Sequence, residues 1–268
     1  MTPPLRIGIL GGCLNSGYGL VSLNQLYHRI AARELEDITQ ERVHVRLGRL
    51  DTHQHDRIVE RVDTFLQKQS PDLLLLQIRP DFLWGLYSAL WLTREGKSLL
   101  RLRYNPHSQY GDLWPENIEQ GLCPMQGFAP INLRLARLTG MTRSADARLV
   151  KLVTTAHQIC QRRNVAMGLI SPLYGTYYHH SFQQFNREHI LPLLQSCHIP
   201  LCDLLNHEPL HDTRCWADTF HLNAEGHLHA AQVFLPTLLD LCRNAGLNIA
   251  PQEKIDATDG SPHVETRS

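Results

Sequence analysis

The sequence predicts an α/β fold with a central five-stranded parallel sheet, on three observations. Short apolar runs alternate along the chain with longer segments whose apolar residues recur at helical spacing, the signature of successive β–α–β units. One run, Pro71 to Ile78 ("PDLLLLQI"), is apolar through its middle. A strand there needs cover on both faces, which a parallel sheet flanked by helices provides. The 268 residues show no internal repeat, and that length supports one generous core without requiring a second domain.

The first strand is Leu5 to Leu10 ("LRIGIL"), running into the glycine-marked stretch "GGCLNSGYG". A helix follows across "SLNQLYHRIAARELE", with Ser22 suited to cap it and Leu23, Leu26, Tyr27, Ile30 and Ala31 on one face. Val43 to Gly48 is the second strand. Asp56 to Gln69 is a helix with Ile58, Val62, Phe65 and Leu66 inward, and Pro71 to Ile78 is the third strand. Residues 82–143 then break the alternation. They hold Trp84, Trp91, Trp114, several prolines and the basic piece "LLRLRYNPH", and are read as an inserted stretch of helices and loop able to serve as a lid. The pattern resumes with a helix across Ala145 to Arg163, a strand at Val165 to Ile170, a helix across Ser181 to Ser196 and a fifth strand at Ile199 to Leu204. The last helix spans Ala224 to Gly246, capped by Asn223, with Pro236 inside it as a source of kinking. Residues 1–250 therefore form a single domain, and the polar stretch 251–268 is expected to be a disordered tail. With right-handed crossovers, ligands bind beyond the carboxyl ends of the strands.

Lysine plus arginine equals aspartate plus glutamate, 26 of each, so the formal charge is zero. No general attraction to nucleic acid or to an acidic membrane is expected. Seven cysteines, an odd number with no CxxC pair, argue against a secreted disulfide framework. The amino terminus lacks a basic flank followed by a long apolar run, and no stretch of about 18 apolar residues suggests a membrane span. A reduced, cytoplasmic chain is the expectation, with its oligomeric state open.

Two motifs carry chemistry. "DTFHLNAEGH", Asp218 to His227, places an aspartate three residues before a histidine at the start of a helix. It resembles the last motif of the SGNH/GDSL hydrolases, Asp-x-x-His-Leu-Asn-x-x-Gly-His, at Asp218, His221, Leu222, Asn223, Gly226 and His227. That resemblance implies a three-layer, flavodoxin-like sheet and an acyl hydrolase (esterase or thioesterase) or acyltransferase. Gly11, Gly12, Cys13 and Gly17 then occupy the places of the family's first motif, Gly-Asp-Ser-x-x-x-Gly. Cys13 stands where the serine nucleophile would be, and Gly12 where the aspartate would be. The second motif's glycine, a backbone oxyanion donor, falls nearest Gly48, or on Asp51 in a shifted alignment. In the third motif Arg79 replaces the glycine and Asp81 the asparagine. A carboxylate cannot donate to an oxyanion, so that donor is lost unless Arg79 or Gln77 replaces it.

The implied chemistry is a Cys13–His221–Asp218 arrangement. The thiolate attacks, the imidazole moves the proton, and the carboxylate orients the ring. At a strand-to-helix turn, free backbone N–H groups and the helix dipole would favour both thiolate and oxyanion. Gly12, Gly48, Arg79, Asp81 and Ser16 are the candidate oxyanion or substrate residues, and the substrate is a small-molecule or carrier-bound acyl compound. No cofactor and no catalytic metal are implied. Alternatives remain open: Ser16 as nucleophile, a catalytically impaired binding protein on the same frame, and a metal-dependent hydrolase built on the histidine-rich stretch "DTHQHD" (Asp51 to Asp56). "YYHH" (Tyr177 to His180) and the cations Arg46 and Arg49 are further candidate substrate contacts.

Overall fold

The computed structural model describes residues 3–15, 17–18, 20–50, 57–87, 129–173, 180–218 and 221–247. Five parallel strands lie in the order β2-β1-β3-β4-β5. They are β1 (Leu5–Gly11), β2 (Val43–Arg49), β3 (Leu73–Gln77), β4 (Ala166–Ile170) and β5 (Leu201–Cys202). The chain steps one way from β1 to β2 and the other way from β3 onward. The carboxyl ends of β1 and β3 therefore flank the crevice where such sheets bind ligands.

Alternation along the strands assigns the two faces. Ile7, Ile9, Leu73 and Leu75 pack beneath α1 (Tyr27–Thr39) and α8 (Ala224–Asn244). Leu10, Leu74, Leu76, Met167 and Leu169 pack against α2 (Ile58–Gln69), α3 (Pro80–Tyr87) and α5 (Met141–Arg162). Every residue of β3 is buried, as its unbroken apolar run requires. A short helix α4 (Ala129–Leu138) precedes α5. Among the described residues, no helix is long and apolar enough to cross a membrane.

Four boundaries differ from the sequence expectation. Ser22 does cap, in a reciprocal box with Gln25, but it caps only the single 3-10 turn Leu23–Gln25. Leu26 then adopts an extended ψ of 134°, and the α-helix starts at Tyr27. Leu23 is thereby turned outward and is 62% exposed. β5 is two residues long rather than six, as an edge strand tolerates. The helix before it is interrupted. Between α6 (His180–Phe185) and α7 (Leu191–Gln195), residues Asn186–Ile190 form a π turn. Pro192 has no N–H to continue the ladder, and the buried Asn186 Nδ2 donates to the Phe182 carbonyl at 2.6 Å. Finally, most of α3, all of α4 and the first turn of α5 fall within 82–143, of which 88–128 lies outside the described residues. So does the tail 251–268.

Candidate active site

The Asp218–His221 loop is shaped by its neighbours in sequence. Trp216 and Leu222 form an antiparallel bridge, and the Ala217 N–H donates to the His221 carbonyl at 2.7 Å. Asn223 closes the loop three times. Its N–H donates to the Cys215 carbonyl, its Nδ2 donates to the Arg214 carbonyl, and its Oδ1 caps α8 by accepting from the Gly226 N–H at 3.0 Å. A Cβ at position 226 would overlap the Cys215 carbonyl oxygen, so only glycine lets the helix lie this close to the loop. The spacing Asp-x-x-His-Leu-Asn-x-x-Gly is thus the recipe for one folded loop.

Three contacts join the pair. Asp218 Oδ1 accepts from the His221 backbone N–H at 2.8 Å, and the two carboxylate oxygens lie 3.0 and 2.8 Å from His221 Nδ1. A carboxylate only accepts, so Nδ1 carries the proton and Nε2 is left as the basic nitrogen. The side chains are 8% and 14% exposed, which shields the contact from water.

The turn after β1 adjoins this loop. The Tyr18 ring lies 4.4 Å from the His221 ring, centroid to centroid. Leu14 and Leu222 share one apolar cluster. Asn15 Oδ1 accepts from the Tyr27 hydroxyl at 2.7 Å, while the Tyr27 N–H reaches His227 Nδ1 at 3.4 Å. The α1–α8 face therefore draws the amino-terminal turn and the carboxyl-terminal loop together. Burial pushes the imidazoles of both His28 and His227 down to about 4, so this seam is uncharged at neutral pH. The Cys13 side chain and the whole of Ser16 lie outside the described residues.

The expectation of a helix dipole behind Cys13 does not hold. β1 is followed by a 3-10 turn of three residues, Cys13–Asn15, and α1 begins only at Tyr27. The nearby positive charge is a side chain instead. Arg79 donates from its Nη1 to the Leu50 carbonyl at 2.7 Å. A Cβ on Gly12 would stand 2.6 Å from Arg79 Nε and 2.8 Å from Cζ. The two positions are sterically coupled: the lack of a side chain at Gly12 leaves the space that the Arg79 guanidinium fills beside the turn.

Gln77 is a residue whose part the sequence left unresolved. Buried at the end of β3, it accepts from the Gly12 N–H through Oε1 at 2.8 Å. Gly12 is therefore not an oxyanion donor, because its N–H is already committed. Gly48 is not brought to the site either. It lies inside β2 opposite Leu10, where a Cβ would press on Leu10 and Phe65. The ladder that runs from Leu5 N–H to the Arg42 carbonyl and ends with Leu50 N–H on the Gly11 carbonyl gives the Gly48 N–H to Ile9. Arg46 and Arg49 are exposed along the edge strand. Asp81 lies in the first turn of α3, and its side chain lies outside the described residues, as do Asp51 to Asp56 and Tyr177 to His179. His180 opens α6. The five cysteines whose side chains are described are free. Burial raises each thiol, Cys242 to about 11 and Cys160 to about 12, so none of these is a ready nucleophile.

No protein-family model and no curated protein matches the sequence. Solved structures do match the fold. TesA aligns over 88% of this chain and 99% of its own, at 12% identity and a TM-score of 0.51. A catalytic mutant of an acetylxylan esterase from Geobacillus stearothermophilus aligns over 89% and 96%, at 14% identity and a TM-score of 0.51. The chain has the SGNH/GDSL-hydrolase fold. A lipase/acylhydrolase from Enterococcus faecalis is similar over 90% of this chain and 96% of its own, at 12% identity and a TM-score of 0.50. At such identities the SGNH likeness is one of architecture, and the chemistry rests on this chain's own residues.

Proposed function

We propose that this protein hydrolyses acyl esters or thioesters with Cys13 as nucleophile, His221 as general base and Asp218 as the group that orients His221. The observation that carries the reading is the doubly anchored Asp218–His221 pair, set against the turn that holds Cys13 through the Tyr18 ring. His221 Nε2 takes the Cys13 proton as sulfur attacks the substrate carbonyl. The proton then passes to the departing alkoxide or thiolate, leaving an acyl-cysteine. Water, deprotonated by the same nitrogen, attacks that acyl group, releases the acid and returns the thiol. Arg79, beside Gly12, favours the thiolate electrostatically.

Oxyanion stabilisation falls to the Cys13 N–H and the Gln77 amide. With Oε1 holding the Gly12 N–H, Gln77 has its NH2 as the donor half of the amide. This puts a neutral donor where Asp81 cannot supply one. A thiol nucleophile works in its reduced form, which suits a reducing compartment such as the cytoplasm, and five free cysteines agree with that setting.

The test is to react the purified protein with a panel of activated acyl esters and thioesters, trap the acyl-enzyme and map the modified peptide. Acylation of the peptide carrying Cys13, abolished together with turnover in Cys13→Ala, is expected. Acylation at Ser16, or turnover that survives Cys13→Ala, would refute the assignment of the nucleophile.

A further inference from the structure

On the far side of the same loop, a second cluster is unused by this chemistry. Cys215 closes the 3-10 turn Thr213–Cys215, and Glu225 and His229 lie in the first turns of α8. One ligand atom from each, a thiol sulfur, a carboxylate oxygen and an imidazole nitrogen, lies within 4.8 Å of the other two. Glu225 and His229 are four residues apart, so they present side by side on one helix face. The His207 ring stands 5.8 Å from the His229 ring. Its Nε2 is buried without a hydrogen-bond partner among the described residues. A nitrogen withdrawn from water with nothing to bind is costly, and it lies beside the cluster rather than within it.

We propose that Cys215, Glu225 and His229 form a binding site for a divalent transition-metal ion, zinc being the best chemical match, which fastens the Asp218–His221 loop to α8. One thiolate, one imidazole and one carboxylate are the ligand types that select zinc over magnesium or calcium, which prefer all-oxygen cages. With the three ligand atoms within 4.8 Å of one another, small side-chain rotations suffice to close them on one ion. The cluster's charge fits a cation. Cys215 Sγ now donates its proton to the Pro209 carbonyl at 3.2 Å. A metal ion reverses this. The Cys215 S–H proton is released to solvent, a sulfur–metal bond forms in its place, and Glu225 offsets the ion's charge.

The consequence is mechanical. Cys215 lies before Asp218 and Glu225 after His221, so the ion would close the segment carrying the pair into a ring. Its role is structural, and the hydrolytic steps do not pass through it.

The experiment uses the full-length protein, stripped with a chelator and titrated with cobalt(II) and then zinc(II). Cobalt is expected to give a thiolate-to-metal charge-transfer band with tetrahedral visible absorption, both displaced by zinc, and zinc is expected to raise the melting temperature. Glu225→Gln and His229→Gln alter accessible side chains and should fold. Each should weaken zinc binding by at least about 100-fold, the upper end of what losing a mere outer partner costs. Cys215→Ser should abolish the charge-transfer band. No saturable uptake by the stripped protein, or uptake and spectrum unchanged in both Glu225→Gln and His229→Gln, would overturn the site.

Discussion

Two aspartate–histidine pairs among the described residues have different fates. Asp218 and His221 sit three residues apart in one loop, with the carboxylate also gripping the histidine's own backbone N–H. Asp146 and His189 come from α5 and from the π turn. Their contact is as short, 2.8 Å from Nε2 to Oδ1, but the side chains are 24% and 38% exposed. Asp146 Oδ1 also accepts from the Tyr87 hydroxyl at 2.7 Å, so this second carboxylate ties three helical segments together. Distance alone does not distinguish the pairs; placement does. The first lies at the carboxyl end of the sheet, on a loop whose fold fixes which ring nitrogen is basic, and beside a turn carrying a nucleophile candidate. The second lies in the helical layer and uses Nε2 itself to bind.

The largest effect that would sharpen this contrast is expected from Asp218→Asn. An amide can present its NH2 to Nδ1 and stabilise the wrong tautomer, as when the orienting carboxylate of a serine-protease triad is lost. A fall in kcat of about 10⁴ is expected with little change in fold, read by steady-state kinetics alongside circular dichroism. Next comes Gln77→Glu, which keeps an oxygen for the Gly12 N–H and removes the NH2. If that NH2 meets the oxyanion, kcat should fall by about 10²-fold or more while KM changes little. An unchanged kcat would remove Gln77 from the machinery and leave it as a clamp on the turn.

How much of this was legible in the sequence follows from how local each feature is. The Asp218–His221 loop could be read because all its partners lie within about ten residues, so that spacing and geometry are nearly the same information. The two-sided burial of β3 followed from its unbroken apolar run, and the inward set of α2 from helical spacing. Leu23 was misplaced because the break at Leu26 is a backbone choice that apolar spacing does not record. Gln77 was weighed only as a substitute donor. Its hold on Gly12 spans 65 positions in sequence and depends on strand register. The same holds for Gly12 and Arg79. Each looked like a separate loss from its motif until the sheet brought them into contact. Gly48 was misassigned because its motif place fell one strand position short of the sheet's end.

The Gly12–Arg79 contact yields a smaller, cleaner test of what sets the first pair's surroundings apart. Gly12→Ala adds a methyl where the guanidinium already lies and should lower stability. In an Arg79→Gly background the three nearest atoms to that methyl are gone, so the penalty should shrink. A coupling of about 0.5–3 kcal/mol is expected from urea denaturation of the four proteins of the cycle. Simple additivity would show that the two positions are energetically independent.

The smallest effect is expected from Asp146→Asn. Asparagine keeps the Oδ1 that accepts from both the Tyr87 hydroxyl and His189 Nε2, so only the negative charge facing His189 is lost. Partly exposed ion-pair contacts contribute about 0.2–1 kcal/mol, and the melting temperature should drop by no more than that loss implies, with kcat unchanged. The value of this variant lies in the direction of its failure. Should Asp146→Asn lose turnover as steeply as Asp218→Asn, while its stability holds, then the helical-layer pair would be the one in contact with substrate. The loop between Trp216 and Leu222 would in that case be a well-folded remnant rather than the seat of the chemistry.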